Sequence, residues 1–189
     1  EASLAQVRAG DARYEAVAEE CLALCKDVFL TRDVALLEYF YGDWRPVETN
    51  NWVEPGHMAE WTYLLADYEK TMGRACGVDL PALFEQAEKG LGDNGLLSDE
   101  ISDAPPTYRL WPQTEYAKAA LVMAERGSRP PVLADEIIKR LIDVYLSPPV
   151  KGGWWDQYDA GGTLTSEVMP ASSFYHILSA FLAYLRAPD

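Results

Sequence analysis

Glu54-Pro55-Gly56-His57-Met58-Ala59-Glu60-Trp61 sets the reading of the chain. A Pro-Gly break is followed at once by a helical pattern that carries an imidazole at its start and a carboxylate three residues on. Helical spacing lines up His57, Glu60, Trp61 and Leu64 along one side. The sequence holds one other histidine, His176, at the front of the last helical pattern, Pro170-Ala171-Ser172-Ser173-Phe174-Tyr175-His176. Two imidazoles at two helix starts, with acids and tryptophans around them, point to acid–base chemistry on a polar, ring-shaped substrate.

Helical patterns continue on both sides of that stretch. Tyr14, Val17, Ala18, Cys21, Cys25, Val28 and Phe29 recur at helix period over about 12–30. Leu36, Leu37, Tyr39 and Phe40 form a short apolar patch, read as a strand or a helical turn. A polar loop containing Gly42, Pro46 and Asn50 leads into the His57 helix, which runs to about Gly73. Leu80-Pro81 opens another helix that Gly90 to Gly95 closes. Arg109-Leu110-Trp111-Pro112-Gln113-Thr114-Glu115 starts the next, Pro130 and Pro131 punctuate one over about 132–146, and the last spans about 172–185. The Ala160-Gly161-Gly162 turn fits the tip of a hairpin. Six helices with no βαβ alternation give an all-α fold, and residues 1–189 read as a single helical domain. The connections before His57, Glu115 and His176 are long and rich in aromatics, Gly and Pro, as functional loops often are. Alternate helices entering from one end of a curved array bring those three segments together.

The 189 residues suffice for a real core, and 49% hydrophobic with 24% charged residues is a globular balance. A formal net charge of −14 argues against a nucleic-acid partner, though a small phosphorylated ligand needs only one or two arginines. No apolar run approaches membrane-span length, and the first residues lack a signal-peptide pattern. Cys21, Cys25 and Cys76 are too few and unpaired for a disulfide framework. Cys21 and Cys25, one turn apart in an apolar stripe, read as small core residues rather than metal ligands, which favours a reducing cytoplasm.

Pro55-Gly56-His57-Met58-Ala59-Glu60-Trp61, Trp111-Pro112-Gln113-Thr114-Glu115, Gly153-Trp154-Trp155-Asp156 and Tyr175-His176, in that order and approximate spacing, resemble the C-terminal half of the N-acylglucosamine 2-epimerase family. That family includes N-acetylglucosamine 2-epimerases, cellobiose 2-epimerases, mannose isomerases and phosphomannose-isomerase-like members. The resemblance implies an (α/α)6 barrel with its site at one mouth, of which this chain supplies about six helices, half of the toroid. Family enzymes also draw substrate contacts, including an arginine, from the N-terminal half. A half-barrel exposes an apolar seam, so a homodimer or pairing with the other half is expected.

The implied reaction removes the C2 proton of an open-chain aldose and returns a proton to C2 or C1, with no cofactor. The resemblance makes His57 and His176 the acid–base pair. The helix N-terminus disfavours imidazolium at His57, which predicts a neutral, ready base. Glu60 is placed to bond a sugar hydroxyl or to hold His57 in one tautomer, and equally reads as a solvated first-turn carboxylate. By the resemblance, Trp111 and Glu115 are substrate-binding, an aromatic face with a carboxylate beside it. Arg109 suits an enediolate or a phosphate, and also an ordinary surface ion pair; Trp155 suits a wall of the site, and equally packing beneath its loop. Rival readings are a helical-barrel glycoside hydrolase using Glu60, Glu115 and Asp156, a metal site on His57, Glu60, Glu115 and His176, and a non-catalytic sugar-binding half-barrel.

Overall fold

The computed structural model describes residues 1–49, 51–148 and 150–187, so Asn50 of the polar loop lies outside them. Among the described residues there are seven α-helices: α1 (Ala2–Arg8), α2 (Glu15–Leu24), α3 (Pro55–Met72), α4 (Leu80–Glu88), α5 (Leu110–Glu125), α6 (Val132–Tyr145) and α7 (Ala171–Arg186). Two three-residue strands, β1 (Thr107–Arg109) and β2 (Gln157–Asp159), pair antiparallel with Tyr108 opposite Tyr158. The all-α reading holds, with the sheet confined to the connections before and after the α5–α6 pair.

Local chemistry sets the helix boundaries. Pro55 occupies the first turn of α3, where its missing N–H leaves nothing unsatisfied, and Gly73 ends the helix in the left-handed region at φ 67°. The Asp79 carboxylate caps α4 by accepting from the Ala82 N–H at 3.1 Å. Helix α5 springs directly from β1 and is buried on nearly every side, from Pro112 through Ala120. It packs between α3 and α7, while α4 lies against α3 and α6 against α5. The result is an inner row α3–α5–α7 backed by outer helices. The inner helices run parallel: the rings of His57, Trp111 and His176 meet at one end, and Lys70, Glu125 and Arg186 share a depression at the other.

One hairpin geometry recurs four times, twice in the connection before α3. Leu30 bridges Leu36, Phe40 bridges Pro46, Leu91 bridges Leu97, and Tyr158 bridges Leu164. In each, the residue four past the first bridge partner donates its N–H three residues back, to Thr31, Tyr41, Gly92 and Asp159 respectively. That donor is left-handed every time: Val34 (φ 60°), Trp44 (64°), Gly95 (71°) and Gly162 (78°). This is a type I turn closed by a left-handed residue. Glycine at two of the four makes the turn inexpensive; Val34 and Trp44 carry the steric penalty and offset it by packing, Trp44 against Phe29 and Phe40. The Gly161-Gly162 tip was legible from its glycines. The first two hairpins were not, and the Leu36–Phe40 patch is neither a regular strand nor a helical turn.

The N-terminal region differs from the sequence reading in two ways. An additional helix, α1, precedes the expected one, and Arg8 at its end bonds Asp67 at 2.7 Å and Thr71 at 3.0 Å on α3. The helix over 12–30 is composite, opening in a 3-10 turn at Ala12–Tyr14 and closing in a wider π turn at Cys25–Phe29. Cys25 is fully buried, and burial pushes its thiol up to about 12. Cys21 is exposed, outside the buried stripe formed by Ala18, Leu22 and Cys25. Trp61 likewise leaves the His57 side and stands edge-on to Phe29. Helix α7 presents an uncovered apolar face, with Phe174 55%, Leu178 48% and Leu185 75% exposed.

The α3–α5 crossing depends on a missing side chain. A Cβ on Gly56 would stand 2.7 Å from the Trp111 ring and 2.9 Å from Pro112 Cβ. Gly56→Ala is therefore expected to destabilise the fold by about 1–3 kcal/mol, as overpacking does, despite alanine's better helix propensity. Thermal unfolding should show a fall of roughly 2–4 °C per kcal/mol; an unchanged Tm would mean that the crossing relaxes freely.

Candidate active site

The N-terminal ends of α3, α5 and α7 enclose a cavity of about 540 Å³, within the roughly 300–1,000 Å³ usual for small-molecule sites. Helix α3 supplies His57 and Glu60, α5 supplies Trp111, and α7 supplies Ser172, Ser173, Tyr175 and His176. Arg109 at the end of β1 and Asp156 just before β2 complete the lining with Pro170. The Trp111 indole lies between the two histidines, its centroid 4.9 Å from the His57 ring and 5.6 Å from His176.

Each imidazole is held from behind by a carboxylate. His57 Nδ1 is 2.9 Å from Glu38 Oε2 and 3.4 Å from Glu54 Oε2. His176 Nδ1 is 2.7 Å from Glu115 Oε1. With both Nδ1 atoms engaged, Nε2 is the nitrogen each ring has left for the cavity. Glu38 sits between the first two hairpins, and its position is fixed because Asn51 Oδ1 accepts from the N–H groups of both Glu38 and Tyr39.

The surroundings of His57 act against the neutral form that its helix N-terminus favours. Burial pulls its pKa down, but the hydrogen bond and charge of Glu38, with the charges of Glu54 and Glu60, outweigh that and raise it above its ordinary value. The helix N-terminus is a partial charge, whereas Glu38 is a full one at hydrogen-bond distance. Glu60 faces the cavity and does not contact His57 Nδ1, so the tautomer-holding role falls to Glu38. Burial and then the neighbouring Glu115 charge raise the Glu60 carboxyl. Burial also raises Asp156, opposed by a hydrogen bond from Ser173 Oγ at 3.1 Å.

Glu115 does not stand where the sequence reading put it. It is fully buried, outside the cavity lining, with Oε1 on His176 and Oε2 2.7 Å from the equally buried Lys118 ammonium. A carboxylate so placed cannot grip sugar hydroxyls. Trp155 is also absent from the lining; its neighbour Asp156 takes that place. Arg109 does reach the cavity. Its N–H donates to Asp99 Oδ1 at 2.7 Å and its Nε stands 3.5 Å from Asp99 Oδ2, so Asp99 orients it. The donor set envisaged for a metal is not assembled, since Glu115 lies in the interior. Among the described residues, the group close enough to share a cation is Glu38, Glu54 and His57, within 4.8 Å of one another, and the His57 hydrogen bonds account for that closeness.

The sequence profile described as N-acylglucosamine 2-epimerase (GlcNAc 2-epimerase) matches residues 1–180. The chain belongs to this family. It is 39% identical over 178 residues to a mannose-6-phosphate isomerase of Rhizobium meliloti (strain 1021), an alignment covering 87% of this chain and 46% of that protein. Its fold matches that of a D-mannose isomerase with a TM-score of 0.74 at 19% identity, over 93% of this chain and 49% of the other. A cellobiose 2-epimerase from Bacillus thermoamylovorans B4167 gives 0.76 at 20% identity, over 93% and 48%. These neighbours are (α/α)6 barrels, and this N-acylglucosamine 2-epimerase family chain corresponds to half of one. It spans about half the length of the relatives it matches.

The raised carboxyls set a pH prediction. A carboxyl whose folded pKa lies above its unfolded value holds a proton that unfolding would release, so its contribution to stability falls as pH rises from the ordinary carboxylate value through the raised one. The cost therefore grows as pH rises through that window. Glu60→Gln removes it and is expected to raise Tm more at neutral pH than at pH 4. Equal gains at both pH values would mean that the charge of Glu60 is not the source.

Proposed function

We propose that the chain carries the acid–base centre of a sugar 2-epimerase or aldose–ketose isomerase acting at C2 of an open-chain aldose. The observation that carries this reading is that two imidazoles, each tied at Nδ1 to a carboxylate, offer Nε2 to one cavity from either side of the Trp111 indole. One imidazole takes the C2 proton as the C–H electron pair moves into a C1–C2 double bond and the C1 carbonyl oxygen becomes an enediolate oxygen. A proton returned to the opposite face of C2 gives the epimer. A proton returned to C1, with the O2 proton passed to O1, gives the ketose. Hydrogen leaves and returns as a proton, so the chemistry has no redox step.

The other groups have parts in this scheme. His57, whose imidazolium is favoured, suits the donor role. Arg109 is the cation among the lining residues and suits the developing enediolate oxygen. Trp111 offers an apolar surface to the sugar carbons, and Glu60 and Asp156 offer acceptors to hydroxyls. The names of the relatives favour mannose, free or 6-phosphorylated, as the first aldoses to test, with cellobiose and N-acetylmannosamine next. The coverage of about half of each relative supports a matching reading of the apolar face of α7: it receives the complementary half of the barrel.

Proton NMR in D2O tests the reaction directly. Deuterium is expected at C2 of at least one of these sugars, with a new epimer or ketose accumulating. His57→Gln and His176→Gln are each expected to slow exchange about 100-fold or more, as loss of a general acid or base does. Exchange that survives both substitutions, or no exchange by the folded protein, would remove the reading.

A further inference from the structure

Lys118 is a fully buried lysine, 0% exposed, in the middle of the inner helix row. Its ammonium lies 2.7 Å from Glu115 Oε2, off the line of a regular hydrogen bond, so the contact is first an ion pair. Ser179 Oγ on α7 is 3.3 Å away, and the Tyr63 ring on α3 is 4.9 Å below. The ammonium thus touches all three inner helices one layer beneath the cavity floor. Burying a cation there is costly unless it is paired, and Glu115 is its pair.

The two histidines are backed differently. Glu38 and Glu54 have no Lys or Arg partner among the described residues, and both retain some solvent contact. Glu115 has none, and without a cation it would be an isolated charge in the interior. Such a carboxyl takes a proton instead. That choice decides which nitrogen of His176 carries hydrogen. An anionic Glu115 only accepts, so a neutral His176 must place its hydrogen on Nδ1 and leave the Nε2 lone pair toward the cavity. A protonated Glu115 would donate to Nδ1 and push the hydrogen to Nε2, where it blocks the base.

We propose that Lys118 is a positioning residue that acts through Glu115 to fix His176 as the Nδ1–H tautomer, with Nε2 open to the cavity. Its catalytic meaning rests on the epimerase reading above, but the tautomer itself does not. The relay runs along α5, Lys118 and Glu115 being one turn apart, and reaches α7 only at His176 and Ser179.

Long-range 1H–15N spectra of the imidazoles, at a pH where both are neutral, provide the test. The chain has two histidines, so His57→Gln leaves one ring and assigns both. In the native protein His176 is expected to show a pyrrole-type Nδ1 and a pyridine-type Nε2; the reverse pattern overturns the proposal without any variant. Lys118→Met is expected to exchange the two patterns, and Lys118→Arg to keep the native one. A folded Lys118→Met protein with the native pattern overturns the proposal. Glu115→Gln keeps the size of the side chain and stands in if Lys118→Met does not fold. There the amide oxygen must face the ammonium, the amide nitrogen donates to Nδ1, and the hydrogen moves to Nε2; a native pattern in this variant also overturns the proposal. Where C2 exchange is measurable, Lys118→Met should lower kcat about 100-fold with little change in KM, and Lys118→Arg should restore it. Native tautomers without sugar exchange would count against the epimerase reading and leave this one standing.

Discussion

The contact between Gly56 and the Trp111 indole is the constraint on which the site depends. The first turn of α3 can lie against the first turn of α5 only because position 56 has no side chain, and that approach sets the Trp111 ring between His57 and His176. The parallel inner row follows from the same geometry, since α7 must start at the same end for His176 to reach the ring. Three helix N-termini then converge on one cavity, and their positive ends favour the negative charge of Glu60 nearby. Burial works against that charge and prevails, as the raised Glu60 carboxyl shows. The cavity is a place where acidity is held away from its solution value by packing.

The two imidazoles share a cavity but not an electrostatic setting. Uncompensated acids surround His57, which favours its charged form. The acid behind His176 is matched by a buried ammonium, so the pair presents no net charge. Two copies of one side chain thereby become unlike groups, as proton removal at one face and return at the other require. The difference lies wholly in what stands behind the rings, not in the cavity itself.

The fold was largely legible, because inner helices advertise themselves by period, by Pro in the first turn and by Gly past the end. His57, Glu60, Arg109, Trp111 and His176 all line the cavity, and each belongs to a helix start or the strand end that leads into one. Glu38 was invisible: it is 19 residues from His57, between two hairpins whose left-handed residues are Val34 and Trp44 rather than Gly, so no turn signal marked it. Lys118 was hidden for the opposite reason. Glu115 and Lys118 stand three apart on a helix, the spacing of countless solvated surface pairs, and only burial on all sides of α5 changes their meaning. Glu115 itself read as a substrate-gripping, helix-start acid beside Trp111, but one turn of depth separates a group that touches substrate from one that holds a histidine.

The repeated hairpin has a consequence for how such a site can change over evolutionary time. Glu38 follows the first copy, Asp99 the third, and Asp156 immediately precedes the fourth, so these three carboxylates are carried on the connections, whereas Glu60 and Glu115 stand on helices. Each unit closes on itself through a pair of backbone hydrogen bonds across its turn. The third is nevertheless tied to the inner row, its Leu97 N–H donating to Gln113 Oε1 on α5 and its Leu97 carbonyl accepting from Gln113 Nε2, so the other three are freer to change at their tips. The imidazoles, Trp111, Glu60 and Glu115 are built into the helices, and Glu38, Asp99 and Asp156 are mounted on the connections. Proton-transferring groups held in the helices, with part of their acidic surroundings held in the turns, is the division of labour that this architecture invites.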